Sequence, residues 1–295
     1  MQAIYYLLRR KGFVVAKWSR NKRMMNRFFH ILILLLLVAF ASCSSYDKVL
    51  KSSDLEYKYE EAKALYMMGE YRKAAMLIEN IVIMFKGSDK ADESMFLLAM
   101  CYYQSGDYET AAQYFKACYS NYPRGRYSEL ARFYSGKSLF KNILEPALDQ
   151  TDTYTAIEEL QLFMEYYPTS EYREEAQKML FEMHDVLVMK DYLSAKLYYD
   201  LGDYMAYMGN SYQACIITAQ NALKDYPYTK LREELQMLIL RARYMMARKS
   251  VDEKQPERYR EAIDEFYAFK NEFPTSKYMD EAEGYFKKSL EEIGE

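Results

Sequence analysis

Chemistry at a protein site needs nucleophiles, acids or metal ligands gathered in space. In this chain those residue types are few and scattered. Two histidines are present, His30 and His184, and four cysteines. His184 stands alone among Met179, Leu180, Met183 and Leu187, which are the surroundings of a structural histidine. No Ser/His/Asp or Cys/His set can be assembled around it. No glycine-rich phosphate loop occurs, and no cysteine spacing fits zinc. Carboxylate pairs such as Glu158-Glu159 and Glu174-Glu175 read as solvated faces of amphipathic helices. The reading is of a non-enzyme without a cofactor or metal. Cys118 and Cys215 fit small core positions. A Cys101–Cys118 bridge would need an oxidising compartment.

Cys43 is different, because of what precedes it. Residues Ile31 to Ala41 form an unbroken apolar run of eleven, with Arg27 just before it. A bilayer-spanning helix needs roughly 20 apolar residues, so this run is too short to span and fits the core of a secretory signal. The run closes as Phe40-Ala41-Ser42-Cys43. That sequence resembles the lipobox of bacterial lipoproteins, with Phe40 where leucine is usual. The resemblance implies that residues 1–42 are removed and that the Cys43 sulfur takes a diacylglycerol, with palmitate-type chains as the anchor. Each buried CH₂ adds ~0.8 kcal/mol to membrane attachment. Met24 and Met25 offer a later start, so residues 1–23 stand outside the fold reading.

Charge narrows the function classes. Residues 1–42 carry eight Lys or Arg and no acid, and residues 43–295 carry 32 basic and 43 acidic residues, a net charge of −11. A nucleic-acid binder shows a basic patch or stripe, which this balance disfavours. With 10 Gly and 6 Pro in 295 residues, long structureless linkers are not expected.

The elements that must position any functional residue come from internal repetition. A tyrosine, a small residue three later and an aromatic-Pro pair recur as Tyr108, Ala111, Tyr122-Pro123, then Tyr212, Cys215, Tyr226-Pro227, then Tyr259, Ala262, Phe273-Pro274. Ala156 with Tyr167-Pro168 is a further copy, with Thr153 in the tyrosine place. Tyr71 and Ala74 open a first copy that ends at Phe85-Lys86. Tyr108, Ala111, Ala112, Phe115, Cys118, Tyr119 and Tyr122 form one helical stripe, and proline stops it. Thr169-Ser170 and Thr275-Ser276 are expected to cap the next helices. Earlier helices run Glu56 to Met68 and Glu93 to Ser105, each ended by a Gly-acid-Tyr turn. Thr155 with Glu158 reads as a capping box.

Helix, Gly-acid-Tyr turn, helix with an early small residue and closing proline resemble the tetratricopeptide repeat. Ala99, Gly106, Tyr108, Ala111, Phe115 and Pro123 hold its spacing. The fold expected is all-α, an α-solenoid of about five such helix pairs. A signal peptide (1–42) leads to an N-terminal half (43–140), a connecting loop (141–153) and a C-terminal half (154–295). The aromatic-Pro pairs lie 45, 59 and 47 residues apart against a 34-residue repeat, so the later repeats must carry longer helices or insertions.

Taken with the lipobox, Tyr167-Pro168-Thr169-Ser170-Glu171-Tyr172 with Ala176 and Phe273-Pro274-Thr275-Ser276-Lys277-Tyr278 with Ala282 resemble the BamD family, the repeat lipoprotein of the outer-membrane β-barrel assembly machine. The resemblance covers about residues 44–290. It implies a lipid-anchored scaffold on the periplasmic face of the outer membrane. Its partners would be the periplasmic domains of the barrel-assembly protein and unfolded barrel precursors. Two other readings stand beside it: a repeat scaffold for cell division or peptidoglycan synthesis, and a surface glycan-binding lipoprotein. Ser44-Ser45-Tyr46-Asp47-Lys48 has no acidic run, which favours the periplasmic face. Counting from the Gly turns, Tyr59 and Tyr66 occupy places equivalent to Phe96 and Tyr103 on first helices. With Gly136 as the close-packing residue of the third unit, Phe133 and Phe140 come next. All six are the candidate lining of a peptide groove, with burial in the core as the competing expectation.

Overall fold

A computed structural model of the chain describes residues 46–202 and 211–294. Among these the regular structure is entirely helical: α1 Leu55–Met67, α2 Tyr71–Ile81, α3 Ala91–Ser105, α4 Tyr108–Asn121, α5 Ser128–Lys141, α6 Thr151–Tyr166, α7 Arg173–Leu201, α8 Ser211–Asp225, α9 Arg232–Arg248, α10 Gln255–Glu272 and α11 Met279–Ile293. A short 3₁₀ turn, Asp252–Lys254, precedes α10. The architecture is the all-α repeat fold expected, helix packed on successive helix within each body. No described helix is long and apolar enough to cross a membrane. The signal segment and Cys43 lie outside the described residues.

The chain divides into two compact bodies, 1–101 and 102–295, with the division inside α3. In the first body α1 and α2 pack together. Asp54 starts α1 by accepting the Tyr57 N–H, satisfying a donor that has no partner in the first turn. Gly69 ends it with φ +81°. The Gly69 N–H donates to the Tyr66 carbonyl and the Glu70 N–H to that of Leu65. Only glycine takes that left-handed backbone without strain, which is why the Gly-acid-Tyr signature stops helices. Tyr59, Ile81 and Phe85 form the core here, with Leu97 of α3 against them.

In the second body each helix packs on the next, and α5, α7, α9 and α11 also touch in succession. That second set of contacts stacks the first helix of one repeat on the first helix of the next. The second helices end alike. Tyr122, Tyr167 and Phe273 have φ,ψ of −127°,62°, −128°,65° and −125°,63°. Each N–H, like that of Tyr226, donates to the carbonyl four residues back at 2.8–2.9 Å. Three residues on, the N–H groups of Gly125, Ser170, Thr229 and Ser276 donate to the aromatic residue's carbonyl. One turn geometry is thus built four times, with the following proline forbidding continuation of the helix.

Three local expectations need correction. Ser170 and Ser276 accept from the N–H groups of Tyr172 and Tyr278, the residues just before α7 and α11, so they close the turn and leave both helices without a side-chain cap. Thr155 is no cap either. Helix α6 begins at Thr151, and the Thr155 hydroxyl donates to the Thr151 carbonyl inside the helix. The start is organised instead by Asp149, which accepts from both the N–H and hydroxyl of Thr151. Buried Gln150 assists by donating to the Glu145 carbonyl at 2.8 Å. The loop before α6, residues 142–150, leaves α5 and α6 packed side by side. A Cβ on Gly136 would lie 2.5 Å from Leu160 Cδ2, so any larger residue there requires Leu160 to shift.

Candidate functional site

The six groove candidates fall in both bodies. In the first body Tyr59 is buried, edge-on to Phe85 at 5.4 Å, with the Lys63 and Lys90 ammonium groups 5.2 and 5.4 Å from its ring centre. Tyr66 is half-buried, its ring edge-on to Tyr71 at 5.4 Å. Phe96 is half-buried. In the second body Phe133 is fully buried, stacked on Tyr172 at 4.7 Å and tilted against Phe163 at 5.4 Å. Phe140 is half-buried against the same core. Tyr103 is half-buried, with Tyr108 and Tyr134 edge-on at 5.4 and 5.3 Å. Burial pushes its phenol above the ordinary tyrosine value.

The pattern has a simple cause. These residues lie three before or four after Ala62, Ala99 or Gly136, within about 60° of the packing residue on the helix circumference. They therefore flank the face that meets the second helix. Sequence reasoning missed the residues next to them. Tyr134 is half-buried between Tyr103 and Phe115, 5.5 Å from the latter. Lys137 lies 5.3 Å from the centres of Phe133 and Tyr134 and pairs with Glu175 at 2.8 Å. Tyr103, Tyr134, Lys137, Tyr172 and Glu175 thus form a partly exposed aromatic and charged strip carried by α3, α5 and the start of α7. Of these, Tyr134 could have been found as the neighbour of Phe133, one place along the same helix.

A second polar group was misread. Glu158 is solvated, but Glu159 is buried at 5% exposure. The Tyr119 hydroxyl meets both its oxygens, at 2.8 and 3.1 Å, and the Lys116 ammonium lies 3.1 Å away. Burial first, then the Glu159 hydrogen bond, drives the Tyr119 phenol upward. The Arg132 guanidinium lies 4.1 Å from the Tyr119 ring centre and 4.4 Å from that of Tyr166. A buried carboxylate persists only when paired and hydrogen-bonded. Charge-type reading of the helix could not show that α4 supplies those partners.

His184 is half-buried beside Tyr226, ring centres 5.8 Å apart. Cys101, Cys118 and Cys215 are buried thiols, and burial pushes those of Cys101 and Cys215 up to about 12. Such thiols hold little thiolate near neutral pH and are poor nucleophiles. Among the described residues no group of three or more His, Cys, Asp or Glu could hold a metal ion.

Comparison with known proteins agrees with the repeat architecture. No curated protein matches the chain. A family model described as an outer membrane lipoprotein, YfiO, matches residues 52–255, from just before α1 to the first residue of α10. The match covers well over half of the sequence, and on it the chain belongs to the YfiO family of outer-membrane lipoproteins.

Proposed function

We propose that the chain is a lipid-anchored scaffold on the periplasmic face of the outer membrane. It binds the periplasmic domains of the β-barrel assembly protein and unfolded barrel precursors, and so aids their folding and insertion. The observation that carries this reading is the family match across 52–255, coincident with the helical repeats. Cys43 is the lipid attachment point and residues 1–42 are the segment removed. Tyr66 and Phe96 in the first body and Tyr103 in the second are half-buried rings that keep some surface for an extended peptide.

The test is affinity capture of the tagged full chain from membranes, paired with depletion in the cell. The barrel-assembly protein should co-purify in near-stoichiometric amount, and depletion should lower many outer-membrane barrels together. Recovery of cell-wall synthesis proteins with barrels unchanged would sink the reading. Cys43→Ala should yield an unprocessed or soluble chain that no longer fractionates with the outer membrane. Unchanged processing and fractionation would remove Cys43 as the anchor.

A further inference from the structure

One cavity of the second body is left unused by repeat packing. Helix α7 has 29 residues and its partner α8 has 15. The turn after α8 therefore meets α7 at mid-length and not at its end. The mismatch leaves an open cavity of about 210 Å³ between Phe181, His184 and Asp185 of α7 and Asp225, Tyr226 and Tyr228 at the turn. Pockets for drug-sized ligands run to about 300–1,000 Å³, so this smaller space suits one long side chain.

Its walls are aromatic and its rim is acidic. Phe181 is 62% exposed and Tyr228 98% exposed. The other three aromatic-Pro turns place Arg124, Thr169 or Thr275 where this one has Tyr228, so the exposed ring is peculiar to this repeat. Lys230 pairs with Asp185 at 3.2 Å, but both side chains are largely in solvent. Ion pairs so exposed contribute little to stability and give way to a competitor. Asp225 has no basic partner among the described residues. Nearby Asp191 is held above the usual carboxylate range by burial, with the negative charge of Asp225 adding to it.

We propose that this cavity receives an arginine side chain of a partner protein, its guanidinium lying on the exposed aromatic faces and its charge met by Asp225 and Asp185. Arginine fits better than lysine because its planar, weakly hydrated cation stacks on rings while pairing with a carboxylate. The inference deepens the scaffold reading by naming one contact chemistry. It rests on that reading only for the partner's being a protein.

The full chain in detergent, carrying His30→Gln, keeps His184 as its one histidine, so ¹³C-histidine labelling gives a single ring signal inside the cavity. Titration with Nα-acetyl-arginine methylamide should shift that signal saturably. The citrulline analogue, which is neutral but similar in shape, should bind about fivefold more weakly, and Asp225→Asn should weaken the arginine probe about as much. Equal binding of citrulline, of the norleucine analogue or of acetyl-tyrosine amide would overturn the proposal, as would no saturable shift. In the capture experiment Asp225→Asn should reduce partner recovery about fivefold with an unchanged melting temperature, and undiminished recovery would also overturn it. If the unaltered chain recovers no partner while the titration saturates, the scaffold reading has failed and the cation site has not.

Discussion

The two ends of the second body are held together by different means. At α5, α6 and α7 the buried contact is mainly shape, although Lys137 of α5 also pairs with Glu175 of α7 at the margin. Phe133 is enclosed by Phe163 and Tyr172, and Gly136 lets Leu160 approach. At α9, α10 and α11 rings also stack, Phe266 on Phe286 at 4.5 Å, but charges cross between the helices as well. Arg241 holds Glu281 with two nitrogens, each 2.7 Å from an oxygen. Arg243 reaches Glu261 and Glu265, Arg232 pairs with Glu272, and Lys277 pairs with Glu234. Packing is insensitive to salt, whereas half-exposed ion pairs are screened. The first end should therefore answer mainly to volume and the second to volume, salt and pH.

The largest effect expected is at the shape-held end. Phe133→Ala removes a fully buried ring and should cost ~3–5 kcal/mol in denaturant unfolding, with at most a small salt dependence from the Lys137 ammonium beside that ring. A loss that varied strongly with salt would break the contrast. Gly136→Ala comes next. The added methyl would meet Leu160 Cγ and Cδ2 at 2.7 and 2.5 Å. Overpacking costs about 1–3 kcal/mol, against roughly 1 kcal/mol of helix propensity gained. A net loss of about 1 kcal/mol is expected, and a higher melting temperature would show that Leu160 moves aside freely.

The smallest effect belongs to the charged end and sharpens the comparison through pH. Arg241's hydrogen bonds hold the Glu281 carboxyl below its usual range. A folded-state value below the unfolded one gives stability that is present above about pH 4.3 and lost as pH falls through the folded value. Glu265 acts with the opposite sign. Burial raises it, so its contribution is present at low pH and is withdrawn as pH rises through its folded value. Unfolding curves below about pH 4.3 should show a smaller acid loss for Glu281→Gln than for the unaltered chain. Because the pair is part-exposed, the difference should stay below ~1 kcal/mol. Identical acid profiles would mean that the pair adds nothing.

The sequence exposed whatever a single helix determines by itself. Tyr108, Ala111, Phe115 and Cys118 were readable as a stripe because helix periodicity alone puts them on one face. Gly69 and Gly106 were readable as stops because the backbone there demands glycine. What stayed hidden depends on a second element. Glu159 looks like Glu158 until α4 brings Tyr119 and Lys116 to it. Thr155 looks like a cap until Asp149 and Gln150 start α6 a turn earlier. Phe133 reads as a groove candidate, and only its packing against Phe163 of α6 and Tyr172 shows that it is core and that Tyr134 beside it keeps some exposure. The cavity beside Tyr228 was beyond reach for the same reason, since it arises from the unequal lengths of α7 and α8.

The repeated aromatic-Pro turn has a mechanical consequence. At each corner the chain reverses in a few residues whose backbone torsions recur within about three degrees at Tyr122, Tyr167 and Phe273, with the N–H groups on either side of the proline engaged. Rotation about such a joint would break hydrogen bonds, whereas a small slide of one helix over its neighbour only trades one van der Waals contact for another. The joints are therefore stiff and the rods between them compliant. Within this body, strain from a bound load would spread along helix faces as shear and would not collect at the corners.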